Sequence, residues 1–225
     1  MPESSVQLNH DGPVLKVTDL KFSYSAEPLL DIAEFQVQRK EKVAVIGPSG
    51  CGKTTFMHLV AGLIRPDQGS IQLHGQEVTH LKEWEVDRLR GREIGIVFQR
   101  LHLMPSISVM NNLLLAQKLA RVDQNKNKAI HLLEQLGIDE FRDVLPGNLS
   151  QGQAQRAAIA RAVVHEPTLV IGDEPTSALD GPNAAEAIKL LADLSQDVGF
   201  GLLIVTHDER VRRSMDRVLT MGDAA

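Results

Sequence analysis

Apolar and polar residues alternate from Val14 to Tyr24, with Leu15, Val17, Leu20 and Phe22 on the apolar side. That alternation predicts strand. Three later runs are apolar throughout: Val43-Ala44-Val45-Ile46, Leu169-Val170-Ile171 and Leu202-Leu203-Ile204-Val205. Each is rich in β-branched residues and ends in polar ones, the pattern of a short strand buried on both faces. The period changes elsewhere. Thr54 to Leu63, Lys126 to Leu136 and Ala154 to Val164 read as helices, and Ala184, Ala187, Ile188, Leu191 and Leu194 fall on one helical face. Buried strands followed by helical stretches predict an α/β core with a mainly parallel sheet covered by helices. The stretch from Gln99 to His165 carries helical patterns and few strand signals, so it reads as a mostly helical insertion. Met1 to Gly12 is polar and reads as a loose tail.

Composition narrows the classes. Apolar residues make up 43% of the 225, enough for a hydrophobic core, and 17 Gly with 10 Pro is ordinary usage. This excludes collagen-like, low-complexity and wholly disordered chains. The net charge of -5 gives no bulk attraction to nucleic acid, so none is expected as a partner. Cys51 is the sole cysteine, which excludes an internal disulfide and fits a reducing compartment. The longest stretch free of Asp, Glu, Lys and Arg, Leu101 to Gln117, contains His102, Pro105, Ser106, Asn111 and Asn112 and is a poor membrane span. Met1-Pro2-Glu3 has neither a basic start nor an apolar follow-up, which predicts no secretory signal. Any link to a membrane is therefore expected to run through a partner.

Chemistry concentrates in four places. Gly47-Pro48-Ser49-Gly50-Cys51-Gly52-Lys53-Thr54 fits G-x-x-x-x-G-K-[ST], with a buried strand before it and a helix after it. Its glycines let successive backbone N–H groups turn inward as an anion nest, and the helix N-terminus adds partial positive charge. Lys53 supplies a full charge to the β- and γ-phosphates, and the Thr54 hydroxyl is placed to ligate Mg²⁺, with Thr55 beside it. Cys51 inside this loop is either a small filler or a thiol activated by the helix end.

The second place is the strand end Leu169-Val170-Ile171-Gly172, which runs into Asp173-Glu174. Two carboxylates there divide two tasks: Asp173 near the metal, Glu174 orienting or deprotonating the attacking water. An ordinary acidic turn is the alternative. The third is His207, which follows the run Leu202 to Thr206, either as a γ-phosphate contact or as a structural histidine. The fourth is Ser150-x-x-Gln153, which fits a capping box at a helix start.

Taken in order, these segments resemble the nucleotide-binding subunits of ABC transporters, from about Val14 to Gly222. The further carriers are Gln99 in IGIVFQ, the signature LSQGQ from Leu149 to Gln153, DEPTSALD from Asp173 to Asp180, and Tyr24 in FSYS. The resemblance implies an ABC ATPase fold over residues 13–225: a P-loop NTPase core with a mainly parallel sheet, an N-terminal antiparallel β part, and a helical subdomain at about 99–165. It implies that the subunit binds and hydrolyses ATP with Mg²⁺. It also implies that two copies close head to tail, each ATP held by one copy's loop and by Ser150, Gly152 and Gln153 of the other. Gln99 and Asp173 join Thr54 at the metal; Lys53, Gln99, Glu174 and His207 are the implied catalytic set. Tyr24 is either an adenine-stacking aromatic or an ordinary strand aromatic. Gln151 stands where the family usually has glycine, and a positive φ there would be strained.

Leu101, Leu103, Met104, Ile107, Val109 and Met110 form an apolar stretch that reads either as the core of the helical part or as a groove for a short helix of an integral membrane subunit. The segment LRGREIGIVFQRLHLMPSISVMNNL resembles the lipoprotein-releasing and macrolide-exporter ATPases, although Asn111-Asn112-Leu113 stands where that group typically shows ENV. The expected location is the cytoplasmic face of a bacterial-type inner membrane. Trp84 is expected to pack without a special role. The competing readings are a soluble non-transport ABC-type ATPase, which usually carries fused twin domains or long coiled-coil insertions, and a small-molecule kinase, which would not need LSQGQ or His207.

Overall fold

The computed structural model describes residues 12–25, 27–177 and 179–222. Residues 1–11 of the expected tail, Ala178 of the DEPTSALD segment and the last three residues lie outside them. The elements in chain order are β1 (Leu15–Phe22), β2 (Leu30–Val37), β3 (Lys42–Ile46), α1 (Lys53–Val60), β4 (Gln68–Leu73), β5 (Gln76–Glu77), α2 (Glu83–Glu93), β6 (Ile94–Val97), α3 (Val109–Leu119), α4 (Lys126–Gln135), α5 (Gln151–Val163), β7 (Leu169–Asp173), α6 (Gly181–Val198), β8 (Gly201–Thr206) and β9 (Arg217–Thr220).

Two sheets form. The larger has the order β6-β7-β8-β3-β9, and every pairing in it is parallel. The smaller has the order β2-β1-β4-β5 and is antiparallel. The period-two geometry of the large sheet divides the apolar residues into two cores. Ala44, Ile46, Val170, Leu202 and Ile204 face α3 to α6. Val43, Val45, Leu169, Ile171, Leu203 and Val205 face α1 and the antiparallel sheet. This explains why the strands read as continuous apolar runs: neither face meets water.

Helix ends follow local chemistry. Ser108, Asn125 and Asp180 cap α3, α4 and α6, each accepting the N–H three residues on. The pattern at Thr54 to Leu63 predicts a longer α1 than forms. Gly62 takes a left-handed φ of 64°, the Gly62 N–H donates to Leu59 O (3.0 Å) and the Leu63 N–H to Leu59's neighbour His58 (2.8 Å). That is a Schellman stop, and it ends the helix at Val60. Between β6 and β7 the described residues form α3, α4 and α5 and no strand. At Gly95 in β6 a Cβ would collide with the Ala162 carbonyl of α5, so only glycine lets that helix lie close to the strand.

Trp84 departs from expectation. It lies on α2 and is 60% exposed, so it does not pack into either core. Val86 and Glu93 are the buried residues of α2 and Leu89 packs beside Val86, whereas Trp84 lies off that face. Val109 and Met110 are core residues, whereas Met104 is exposed, so the apolar stretch after Gln99 divides between both readings.

His165, just beyond α5, is the ionisable group most altered by folding. Burial, opposed by hydrogen bonding with the Ile94 backbone and aided by the nearby Lys128 charge, lowers its pKa from 6.5 to about 4. The native state therefore holds it neutral. Between about pH 4 and 6.5 the unfolded chain binds the extra proton, so this contribution to stability is complete above pH 6.5 and is lost as pH falls towards 4. Its full size is about 3 kcal/mol. Urea unfolding at pH 7 and pH 5 is expected to show a smaller acid-side loss for His165→Gln than for the unaltered chain.

Candidate functional site

Parallel strands carry their C-terminal ends to one edge. Ile46 of β3 pairs with Thr206 of β8, and Asp173 of β7 pairs with Val205. The loop after β3, the turn after β7 and the turn after β8 therefore emerge side by side. β6 joins the same edge, since Val97 pairs with Gly172, and Gln99 lies exposed two residues beyond it.

The loop from Gly47 to Gly52 turns through glycines. Gly50 and Gly52 have φ of 85° and 96°, a region that side chains other than glycine's enter at a cost. At Gly47 the constraint is contact: a Cβ would meet the Met221 carbonyl and Cys51 Sγ. Pro48, Ser49 and Gly50 are exposed; Cys51 is half-buried and packs against the apolar core, as a small filler does. Lys53 is buried at the start of α1, and its Nζ donates to the Gly47 and Pro48 carbonyls at 2.8 Å each. The ammonium has three donors, so one remains for an anion above the loop. Thr54 is exposed and Thr55 buried. No side chain caps α1, whose first N–H groups line the loop.

The turn after β7 holds the acidic pair. Burial raises the Asp173 carboxyl above its ordinary range; the neighbouring Glu174 charge pushes the same way, while His58 and Lys53 oppose it. Asp173 Oδ1 is buried with no hydrogen-bond partner among the described residues. A desolvated carboxylate oxygen beside a phosphate-type loop and an exposed threonine hydroxyl suits a hard cation such as Mg²⁺. Among the described residues no cluster of three or more His, Cys, Asp or Glu is arranged to hold a metal by itself, so such a cation needs phosphate oxygens or water as well.

Glu174 is held from several sides. Its backbone has a left-handed φ of 46° and its N–H donates to Val205 O at 2.8 Å. Oε2 accepts from the Thr206 hydroxyl at 2.9 Å. Oε1 accepts from the His207 N–H at 3.1 Å and lies 2.7 Å from His207 Nδ1. An ionised carboxylate only accepts, so Nδ1 carries the hydrogen and Nε2 is the remaining polar atom of the ring. Asp208, next in sequence, forms a bidentate pair with Arg210, whose hydrogen bonds hold its carboxyl below the ordinary range.

Glu174 and His207, read separately from sequence, are thus in direct contact. Tyr24 lies beyond the end of β1, is 69% exposed and meets Phe22 edge-on at 4.8 Å. It belongs to the β1–β2 connection; Leu29 at the end of that connection and Leu30 at the start of β2 abut Gly52. Ser150, Gly152 and Gln153 stand apart at the start of α5. Gln153 N–H donates to Ser150 Oγ (3.3 Å) and Ser150 N–H to Gln153 Oε1 (2.8 Å), the capping box expected from their spacing. Gln151 is the first residue of α5 and does not have positive φ, so the feared strain is absent. Two residues went unread in the sequence. Thr206 is one. The other is Gln155, buried in α5, whose Nε2 donates to Pro175 O at 2.8 Å and ties that helix to the turn after Glu174. A polar residue on the buried face of an alanine-rich helix is the signal that marks it.

The model of the family described as ABC transporter matches residues 30–177. The chain belongs to that family. A lipoprotein-releasing system ATP-binding protein, LolD, of Legionella pneumophila (strain Paris) is 38% identical over 194 residues, covering 85% of this chain and 86% of the relative. The LolD of Xylella fastidiosa (strain Temecula1) is 36% identical over 227 residues, covering 98% and 95%. A solved ATP-binding cassette, dimeric in a post-hydrolysis state with ADP and Pi bound, superposes with a TM-score of 0.82 at 28% identity, covering 93% of this chain and 94% of that one. The fold is therefore that of an ABC ATPase, and the chain is an ATP-binding, ATP-hydrolysing subunit of an ABC transporter.

Proposed function

We propose that this subunit hydrolyses ATP at the interface of a head-to-tail homodimer and uses closure of the pair to move an integral membrane partner. The observation that carries the reading is the single sheet edge where the loop closed on Lys53 adjoins Asp173, Glu174 and His207. In this reading Gly47, Pro48, Ser49, Gly50, Cys51, Gly52 and Thr55 line the phosphates, and Lys53 gives its third donor to a β- or γ-oxygen. Thr54, Gln99 and Asp173 would hold Mg²⁺, which when bound offsets phosphate charge as a Lewis acid. Tyr24 stacks on adenine. Ser150, Gly152 and Gln153 present the N-terminus of α5 to the ATP on the opposite copy, where aligned N–H groups favour the γ-phosphate. The capping box and this contact use different states of the same helix end. Glu174 orients the attacking water and accepts its proton; His207 turns from Glu174 to the γ-phosphate.

The partner reading rests on a groove of about 350 Å³ beside β6. Phe98, Met104, Leu115 and Leu119 line it, and Leu119 is 70% exposed at the end of α3. No described helix of this chain is long and apolar enough to cross a membrane. A short helix of a membrane subunit fits such a groove, and would keep the ATPase at the cytoplasmic face of the inner membrane. Gln99, one residue past Phe98, joins the nucleotide edge to the groove. Similarity to LolD supports export, lipoprotein release or other work on the periplasmic side.

Two experiments test this. Glu174→Gln is expected to bind ATP, accumulate as a closed dimer in sizing chromatography and turn over at least ~100-fold more slowly; near-normal turnover removes Glu174 from the base role. Leu119→Glu is expected to leave soluble ATPase activity unchanged while abolishing co-purification with a polytopic membrane protein. Retained co-purification counts against the groove.

A further inference from the structure

If Glu174 activates the water, its carboxylate must keep one orientation while its surroundings change. The donors around it differ in permanence. His207 has an exposed side chain (62%), and the proposed cycle takes its ring away from Glu174 and onto the γ-phosphate. Thr206 is fully buried (0%) at the end of β8, paired with Ile46 of β3 in the parallel sheet. It cannot leave.

The hydrogen of its hydroxyl is also directed. Thr206 Oγ1 accepts the Asp208 N–H at 3.0 Å, and the Asp208 carboxylate is itself fixed by Arg210. With that acceptor site filled by the following turn, the O–H aims at Glu174 Oε2, 2.9 Å away. The same strand holds the other end of Glu174, because Val205 O accepts its N–H. β8 therefore grips both the backbone and the carboxylate of Glu174.

We infer that Thr206 is a positioning residue for ATP hydrolysis: its buried hydroxyl holds Glu174 in the water-activating orientation after His207 has swung away. The inference rests on the proposed role of Glu174. It explains why a hydroxyl sits at the end of an otherwise apolar strand, where valine would fill the same volume. It also separates two uses of the end of β8: the Thr206 hydroxyl on Oε2, like the His207 backbone N–H on Oε1, is a fixed contact, and the imidazole is the moving one.

The test is hydrolysis by Thr206→Val and Thr206→Ser, measured at steady state in the unaltered chain and as single turnovers in the Glu174→Gln background. ATP binding and thermal unfolding are followed in parallel. Thr206→Val is expected to lower kcat between about 10-fold and 100-fold, with KM for ATP within about twofold. Thr206→Ser restores the hydroxyl and is expected to lie within about threefold of the parent. In Glu174→Gln, adding Thr206→Val is expected to cost less than about twofold in single-turnover rate, because the residue acts only through Glu174. Should the valine variant fail to fold, Thr206→Ala is read against the same comparisons.

Normal kcat in Thr206→Val, with Glu174→Gln inactive, overturns the inference and leaves the base assignment standing. So does a loss of equal size in both backgrounds, or no recovery with serine. Normal turnover in Glu174→Gln overturns the base assignment itself, and with it the inference.

Discussion

The Lys53 ammonium sits buried at the start of α1 and donates to the carbonyls of Gly47 and Pro48. A buried cation is costly without partners, and here the partners are the loop's own backbone. The loop is thereby wrapped around a positive charge. Left-handed glycines at 50 and 52 make the wrap sterically accessible, and the crowding at Gly47 keeps the loop pressed to the strand end. One ammonium donor and the α1 N-terminus, which no side chain caps, are left for a phosphate. In the proposed cycle every later step, from metal placement to closure of two copies, depends on the triphosphate being held there.

The parallel sheet turns that local site into a mechanism. Because β3, β7 and β8 run the same way, phosphate loop, acidic pair and histidine end at one edge without any long-range adjustment. Short hydrogen bonds then join elements far apart in sequence. Thr206 and His207 reach Glu174 across 32 and 33 residues, and Gln155 of α5 reaches Pro175. The helix carrying the LSQGQ end is thus tied to the turn that carries its own chain's acidic pair. The groove beside β6 lies next to the same edge through Phe98 and Gln99. In the proposed reading, nucleotide state and membrane partner are separated by a few residues of one loop.

Much of this was legible in the sequence, for identifiable reasons. The three apolar runs became β3, β7 and β8 because strands buried on both faces leave no polar positions to confuse the period. The helices from Lys126 and from Ala154 were readable through their apolar faces, and the capping box at Ser150 through its spacing. The short edge strands β6 and β9 were not, since four residues with a glycine, or with an arginine at one end, carry little periodicity. The helix α2 was hidden by its charges, and its Trp84 stands in solvent where an apolar side chain is normally expected to pack. In the site, residue types gave the chemistry but not the contacts. Nothing in the spacing of Glu174 and His207 announces that they touch, or that Thr206 lies between strand and carboxylate, because those distances are set by sheet register.

In the proposed mechanism ATP is cleaved only between two copies of this chain. The most direct measurement is hydrolysis per chain as a function of chain concentration, with association state followed by analytical ultracentrifugation in ATP. Activity per chain is expected to rise with concentration in step with an ATP-dependent dimer, then level off once dimer predominates. Constant activity per chain across the range, with monomer alone present in ATP, would contradict it.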